Sequence, residues 1–380
     1  MGGVENSLHA LSKELFNAGY KVILICSDRN YVDNSRLDSL EQDKYLTIRR
    51  YHYRNGLFGY LGQYRNCVRE LIAAQSREGH FDLVVSRSHI TTIGARLAGL
   101  KETEFIVPSV TMFQDFPNTK VKLKARFLAK YIVDVILQYV GFRVATRLYV
   151  YSDSMRRQVR IHCAFPRRVP ISVSPGIDRE RFCERDWTTV ERDAAKTTLD
   201  VPVKKKIILC LGRFSNEKQF GLAIQAIAEL DEDFLLVLVG GGPEKCLYNE
   251  LISELKLKDR VIIFPPTRLP EAYYAVSDVF VMSSKYEAFG QTLLEATASG
   301  VPVAAFSRAS GVKTASEEIY NSFSSLANFA HKLDAKSLAD AIRRSVSVDR
   351  EEFRVEQKKF LAKYSWDRLR HDIERAAGVE

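Results

Sequence analysis

The stretch Tyr286–Ala296 reads YEAFGQTLLEA and sets two carboxylates, Glu287 and Glu295, eight residues apart around Gly290. Gly290 stands where a helix is expected to begin. There the backbone N–H groups near Phe289 and Gly290 lack intrahelical partners and can meet phosphate or sugar oxygens. Ionised carboxylates only accept hydrogen bonds, which suits paired hydroxyls. A second stretch, Gly212–Lys218 (GRFSNEK), sets Arg213 and Lys218 around a short loop. A planar guanidinium holds two oxygens of a diphosphate and an ammonium adds a point charge. Taken one at a time, these features are ordinary: solvated glutamates on an amphipathic helix, and two loop cations.

Two further clusters follow predicted strands. Val239–Glu244 (VGGGPE) brings Gly240, Gly241 and Gly242 to a strand end. A dinucleotide fingerprint needs a third glycine at 245, where Lys245 stands, so a tight strand-to-helix turn is the better reading. Ala305–Thr314 (AFSRASGVKT) is a small-residue loop that offers backbone donors or simply a turn.

The elements that must position these groups alternate between helix and strand. In the second half, Lys206–Leu211, Phe234–Val239, Arg260–Phe264, Val279–Met282 and Val301–Ala305 are short aliphatic runs of the kind buried in parallel sheets. Helices are expected over Phe220–Leu230 and Pro243–Leu255. The first half repeats the pattern: a helix over Ser7–Ala18, strands over Lys21–Cys26, Phe81–Ser86, Glu104–Val107 and Arg147–Tyr151, and a basic helical region over Lys120–Val144. The Pro-Gly turn in Ile171–Asp178 marks a boundary. The reading is therefore α/β, with two Rossmann-like domains over 1–175 and 176–360 facing a cleft, and a last helix in 361–380 packing back toward the first domain. A chain of 380 residues is long enough for two cores. Its net charge of +9 favours an anionic ligand or surface without implying nucleic acid. None of the six cysteines forms a CxxC pair, so neither a zinc site nor a disulfide framework is indicated. The longest apolar run, Tyr131–Phe142, is too short to span a bilayer and carries Asp134.

The motifs GRFSNEK, LVGGGPE (238–244) and EAFGQTLLEATASGVPV (287–303), with VSPGID at 173–178 and Tyr364-Ser365-Trp366, resemble the GT-B glycosyltransferases of family GT4. Glu287 and Glu295 match that family's E-x7-E pattern. The resemblance is specific from about 207 to 315 and looser elsewhere. It implies a retaining enzyme that moves a sugar from a nucleoside diphosphate to a glycan, lipid-linked or small-molecule acceptor, without metal or other cofactor. Arg213 and Lys218 would hold the donor diphosphate, Glu295 the ribose hydroxyls and Glu287 the sugar hydroxyls. Gly212, Gly241, Phe289, Gly290, Gln291 and Thr292 would line the same donor. Neither glutamate is expected to act as a nucleophile, in contrast to a retaining glycosidase. A sugar epimerase and a nucleotide-sugar binder without efficient transfer are the alternatives.

In that family, a strand precedes the Gly-Gly-Val-Glu loop, yet here Met1-Gly2-Gly3-Val4-Glu5 opens the chain. Gly3 would approach the donor phosphates. The N-terminal domain is therefore expected to lack its first strand, leaving unpaired backbone and impaired activity. His89 stands near a family position beside the reacting centre, with Arg87 as the competing residue. Ser109–Asp115 resembles a segment that often carries His-Asp, without the histidine. Lys120, Lys122, Lys124, Arg126 and Lys130, interleaved with Phe127, Leu128, Tyr131 and Ile132, suit an anionic membrane surface or a solvated helix face equally. The implied location is the cytoplasm, with peripheral contact at the inner membrane face.

Overall fold

The computed structural model describes residues 3–29, 35–53, 59–110, 125–162, 169–185 and 187–379. The chain forms two compact units. One comprises Gly2–Gly176 with Trp366–Glu380, the other Ile177–Ser365.

The unit Ile177–Ser365 is built on a six-stranded, all-parallel sheet. In spatial order its strands are Val261–Phe264, Phe234–Gly241, Lys206–Arg213, Val279–Met282, Val303–Phe306 and Ala327–Ala330. Its central strands are aliphatic at nearly every position because both faces are covered. Phe234–Gly241 is buried throughout except at Gly241. The helices Phe220–Ala228, Lys245–Glu254 and Ala335–Val346 bury Ile224, Tyr248 and Leu338 against strand residues such as Ile208 and Leu236. Each such aliphatic side chain contributes about 1.5–3 kcal/mol. From Lys206–Arg213 the chain winds outward through two strands, then returns to Val279–Met282 on the other side. The strand order thus reverses between Lys206–Arg213 and Val279–Met282. That reversal opens a crevice beyond the carboxyl ends of these two strands.

Pro243 was expected inside a helix. The helix instead starts at Lys245, and Gly242–Glu244 turn into it. Gly240 and Gly242 have φ of +154° and +153°. A Cβ on Gly240 would lie 1.9 Å from the Gly212 carbonyl oxygen, and one on Gly242 2.3 Å from that of Phe214. Neighbouring backbone, not a ligand, forbids a side chain at these positions. Gly240→Ala is expected to destabilise this unit by more than about 2 kcal/mol, read by denaturant unfolding.

The other unit carries two sheets. Ile23–Ser27 pairs in parallel with Thr47–Tyr51, which pairs antiparallel with Leu40–Gln42. Val85–Ser86, Glu104–Ile106, Arg147–Val150 and Ile171–Ser172 form a second, parallel sheet. Among the described residues, Ile23–Ser27 and Val85–Ser86 each have a ladder partner on one edge only. The expected strand Phe81–Ser86 shrinks to Val85–Ser86, because its partner begins only at Glu104. The helix Gly3–Asn17 packs with the helix Trp366–Ala377: Leu11, Trp366, Leu369 and Ile373 share a cluster with Ile106, Tyr149 and Val173. Gly176 lets Trp366 lie against the chain, since a Cβ there would sit 2.2 Å from the Trp366 nitrogen.

Candidate active site

The crevice of the unit Ile177–Ser365 gathers the charged residues singled out in the sequence. Lys206–Arg213 ends in Arg213, which is exposed and, among the described residues, has no side-chain hydrogen bond or ion pair. Phe214 then turns inward, fully buried against Phe220 and Tyr248, with ring centroids 5.8 and 5.4 Å away. This anchor fixes the short 3-10 turn Asn216–Lys218, and Gln219 follows in the left-handed region at φ 50°. Gly212 has φ 151°, and a Cβ there would make only an ordinary contact with Lys218 Cε, at 3.5 Å. The turn is tied to the loop after Val279–Met282 twice: Ser283 Oγ donates to the Lys218 carbonyl at 2.8 Å, and Lys285 N–H to the Glu217 carbonyl at 2.8 Å.

The Lys218 ammonium is ion-paired with Glu287; both side chains are 22% exposed. Glu287 lies on a two-residue strand, Tyr286–Glu287, paired in parallel with Lys313–Thr314. The loop Ala305–Thr314 thus holds Glu287 in place. Phe289 is buried edge-on to Tyr364 at 6.1 Å. Gly290 adopts φ 97° and caps the helix Gln291–Ala298 without a side chain. A Cβ there would crowd Leu293 and Met282 at 3.0 and 3.1 Å. Gln291 and Thr292, the first two helical residues, are half-buried.

Glu295 lies in the second turn of that helix. Its carboxylate accepts a hydrogen bond from Tyr274 Oη at 3.1 Å. Burial pushes its pKa up to about 7, against the lowering effect of Tyr274 and of Arg181. Arg181 itself pairs with Glu271 at 2.9 Å. A carboxyl displaced this far at a crevice is a mark of a functional group. Tyr274 was not singled out in the sequence. Its signal was the proline-started helix Pro270–Val276 carrying a tyrosine among apolar neighbours. Gly241 sits on the adjacent strand in register with Arg213 and lies beside Pro266.

In the other unit, His89 opens the helix His89–Leu97 and packs against Gly141, whose added Cβ would lie 2.9 Å from His89 Cβ. Burial lowers its pKa, and among the described residues its buried Nε2 has no hydrogen-bond partner. Arg87 instead reaches along the ends of the strands. Gly3 is the first residue of the helix Gly3–Asn17. The segment 111–115 and Lys120, Lys122 and Lys124 lie outside the described residues, as do the side chains of Arg126, Phe127, Leu128 and Lys130. Among the described residues no group of His, Cys, Asp and Glu is arranged to hold a metal ion, and no helix is long and apolar enough to cross a membrane.

The family model described as Glycosyltransferase Family 4 matches residues 1–181, and that described as Glycosyl transferases group 1 matches residues 191–360. The chain is 32% identical over 211 residues to a D-inositol 3-phosphate glycosyltransferase of Corynebacterium urealyticum, covering 51% of this chain and 47% of that protein. It is 32% identical over 128 residues to an N-acetyl-alpha-D-glucosaminyl L-malate synthase of Bacillus anthracis, covering 33% and 32%. The chain therefore spans about a third to about a half of the length of these curated relatives. Among solved structures, sucrose-phosphate synthase of Thermosynechococcus elongatus superposes with a TM-score of 0.78 at 18% identity, covering 99% of this chain and 92% of that one. Anabaena Alr3699/HepE in complex with UDP and glucose gives 0.74 at 15% identity, covering 100% and 96%.

Proposed function

The chain belongs to the group-1, family-4 glycosyltransferases and has their GT-B fold, and from that premise we propose that it transfers a sugar, with retention, from a nucleoside diphosphate to an acceptor. One observation carries the reading. An arginine unpaired among the described residues, a lysine–glutamate pair and a half-buried carboxyl with raised pKa converge where the strand order reverses. Arg213 and Lys218 bind the diphosphate and stabilise the charge that grows on it as the glycosidic bond breaks. Glu295 accepts the two ribose hydroxyls. Glu287 accepts sugar hydroxyls. The acceptor hydroxyl attacks from the face the leaving phosphate occupies, and that phosphate takes its proton. The solved HepE complexes carry UDP, which makes a uridine donor the first to test.

The test is a thermal-shift screen of UDP-, GDP- and ADP-sugars, followed by product analysis with the sugar that shifts most. A stabilising donor and a product of retained configuration are expected; no shift with any nucleotide sugar sinks the reading. Donor binding without efficient transfer is a second reading; among the described residues Ile23–Ser27 and Val85–Ser86 both stand at a sheet edge, each paired on one side only. A shift without turnover selects it.

The Lys218–Glu287 pair has a consequence for binding. A diphosphate must draw Lys218 away from Glu287, at a cost of up to about 1 kcal/mol for a partly exposed pair. Glu287→Gln is therefore expected to bind UDP a few-fold tighter while losing turnover with the sugar donor, as measured by calorimetry and transfer assay. Weaker UDP binding by the variant would contradict a competition between Glu287 and the diphosphate for Lys218.

A further inference from the structure

We propose that Arg87 seats an oxyanion carried by the acceptor, a phosphate or a carboxylate. The inference rests on the transferase reading above and adds the chemical class of its second substrate. Arg87 follows the strand Val85–Ser86 and is 9% exposed. The turn that carries it is firmly held. Ser86 Oγ lies 2.6 Å from Thr91 Oγ1 and accepts from Thr92 Oγ1 at 2.8 Å. Thr92 Oγ1 is also 2.8 Å from the Ser88 carbonyl, and Ser88 caps the helix His89–Leu97.

From this turn the guanidinium reaches Tyr151, the residue after the strand Arg147–Val150. One Nη donates to Tyr151 Oη at 2.7 Å, and the guanidinium carbon is 5.0 Å from the ring centroid. Arg147–Val150 is two strands away, so the side chain lies across the carboxyl end of Glu104–Ile106. Ligands bind at that edge of a parallel sheet.

Among the described residues the charge there has no anionic counterpart. Among the described residues no acid pairs with Arg87, and its Nε is buried without a hydrogen-bond partner. Tyr151 is neutral, since burial pushes its phenol up. Other shielded arginines of this unit are paired: Arg147 with Glu104 at 2.7 Å, Arg50 with Glu41, and Arg370 with Asp367 at 2.7 Å and with Glu374. A desolvated guanidinium left unpaired is costly, and a phenol returns little of that cost. The free edge of the fork matches two oxygens of a carboxylate or phosphate.

The test is thermal unfolding of the full chain in saturating UDP, at constant ionic strength, with inorganic phosphate or acetate titrated in separate arms. Wild type is expected to melt higher as the matching anion rises. Response to phosphate alone assigns a phosphorylated acceptor, and response to acetate a carboxylate. Arg87→Met is expected to melt higher than wild type without anion, because an unpaired buried charge is gone, and to lose the response. Arg87→Lys folds with its charge but lacks the fork, so its apparent affinity for the anion falls about tenfold. No anion response in wild type, or an equal response in both variants, overturns the proposal. The shift caused by UDP alone reports separately on the donor site, so a failure of the transferase reading is distinguishable from a failure of the anion seat.

Discussion

Glu295→Gln is expected to make the protein more stable at pH 8 and to weaken its binding of nucleotide sugar by tenfold or more, an estimate of about 1.4 kcal/mol. Both effects come from the same burial. The folded-state pKa of Glu295 is about 7, against an ordinary value of 4.5. Between those values the native state binds more protons than the unfolded chain, so stability falls as pH rises through that window. Below the lower value the group contributes no difference; above the upper one the full penalty applies. A displacement of that size corresponds to about 3 kcal/mol. Glutamine keeps an acceptor for Tyr274 Oη without the charge, so its advantage should grow from pH 5 to pH 8 in urea unfolding. A variant no more stable than wild type at pH 8 would contradict the buried-charge account. The lost affinity has a direct cause: a neutral amide offers one acceptor where the carboxylate offers two oxygens to two ribose hydroxyls. For wild type, donor affinity should rise as pH passes 7, because the ionised form binds.

Arg213→Ala is expected to leave thermal stability unchanged and to lower kcat by about a hundredfold to a thousandfold, with little change in donor KM. Arg213 is exposed and unpaired among the described residues, so truncation strips no native partner. Its value lies in the charge that grows on the departing diphosphate, an interaction stronger in the transition state than in the bound donor. Lys218 differs, since its charge is already engaged with Glu287 in the free protein. Single-turnover measurements separate the two. A raised KM with unchanged kcat for Arg213→Ala would make it a simple binding residue.

How far the sequence carried the reading differs between the two units. In Ile177–Ser365, uninterrupted runs such as FLLVLV leave little choice but a doubly covered parallel strand, and the reactive residues stand at the ends of those runs. Their local order along the chain is enough to place them. What sequence could not show is contact across long separation: Tyr274 on Glu295, Ser283 on the Lys218 turn, and Thr314 beside Glu287. Nor could it say that the glycines at 240 and 242 answer to a neighbouring backbone rather than to a ligand. In the other unit the strands are short, Val85–Ser86 and Ile171–Ser172 having only two residues each, so periodicity has little to act on. The surroundings of His89 and Arg87 are likewise long-range: Gly141 lies against the histidine, whereas Tyr151 holds the arginine across the strand ends.

The helix Trp366–Ala377 closes the core of a unit whose other residues are all made before Ile177. During synthesis, therefore, Ile177–Ser365 can collect every residue of its sheet while the earlier unit still exposes the apolar surface of Leu11, Ile106 and Tyr149 that Leu369 and Ile373 will cover. The first half of the chain to leave the ribosome is the last to be completed. A stop codon or protease cut just after Ser365 would strike the unit whose sheets are built from residues before Ile177.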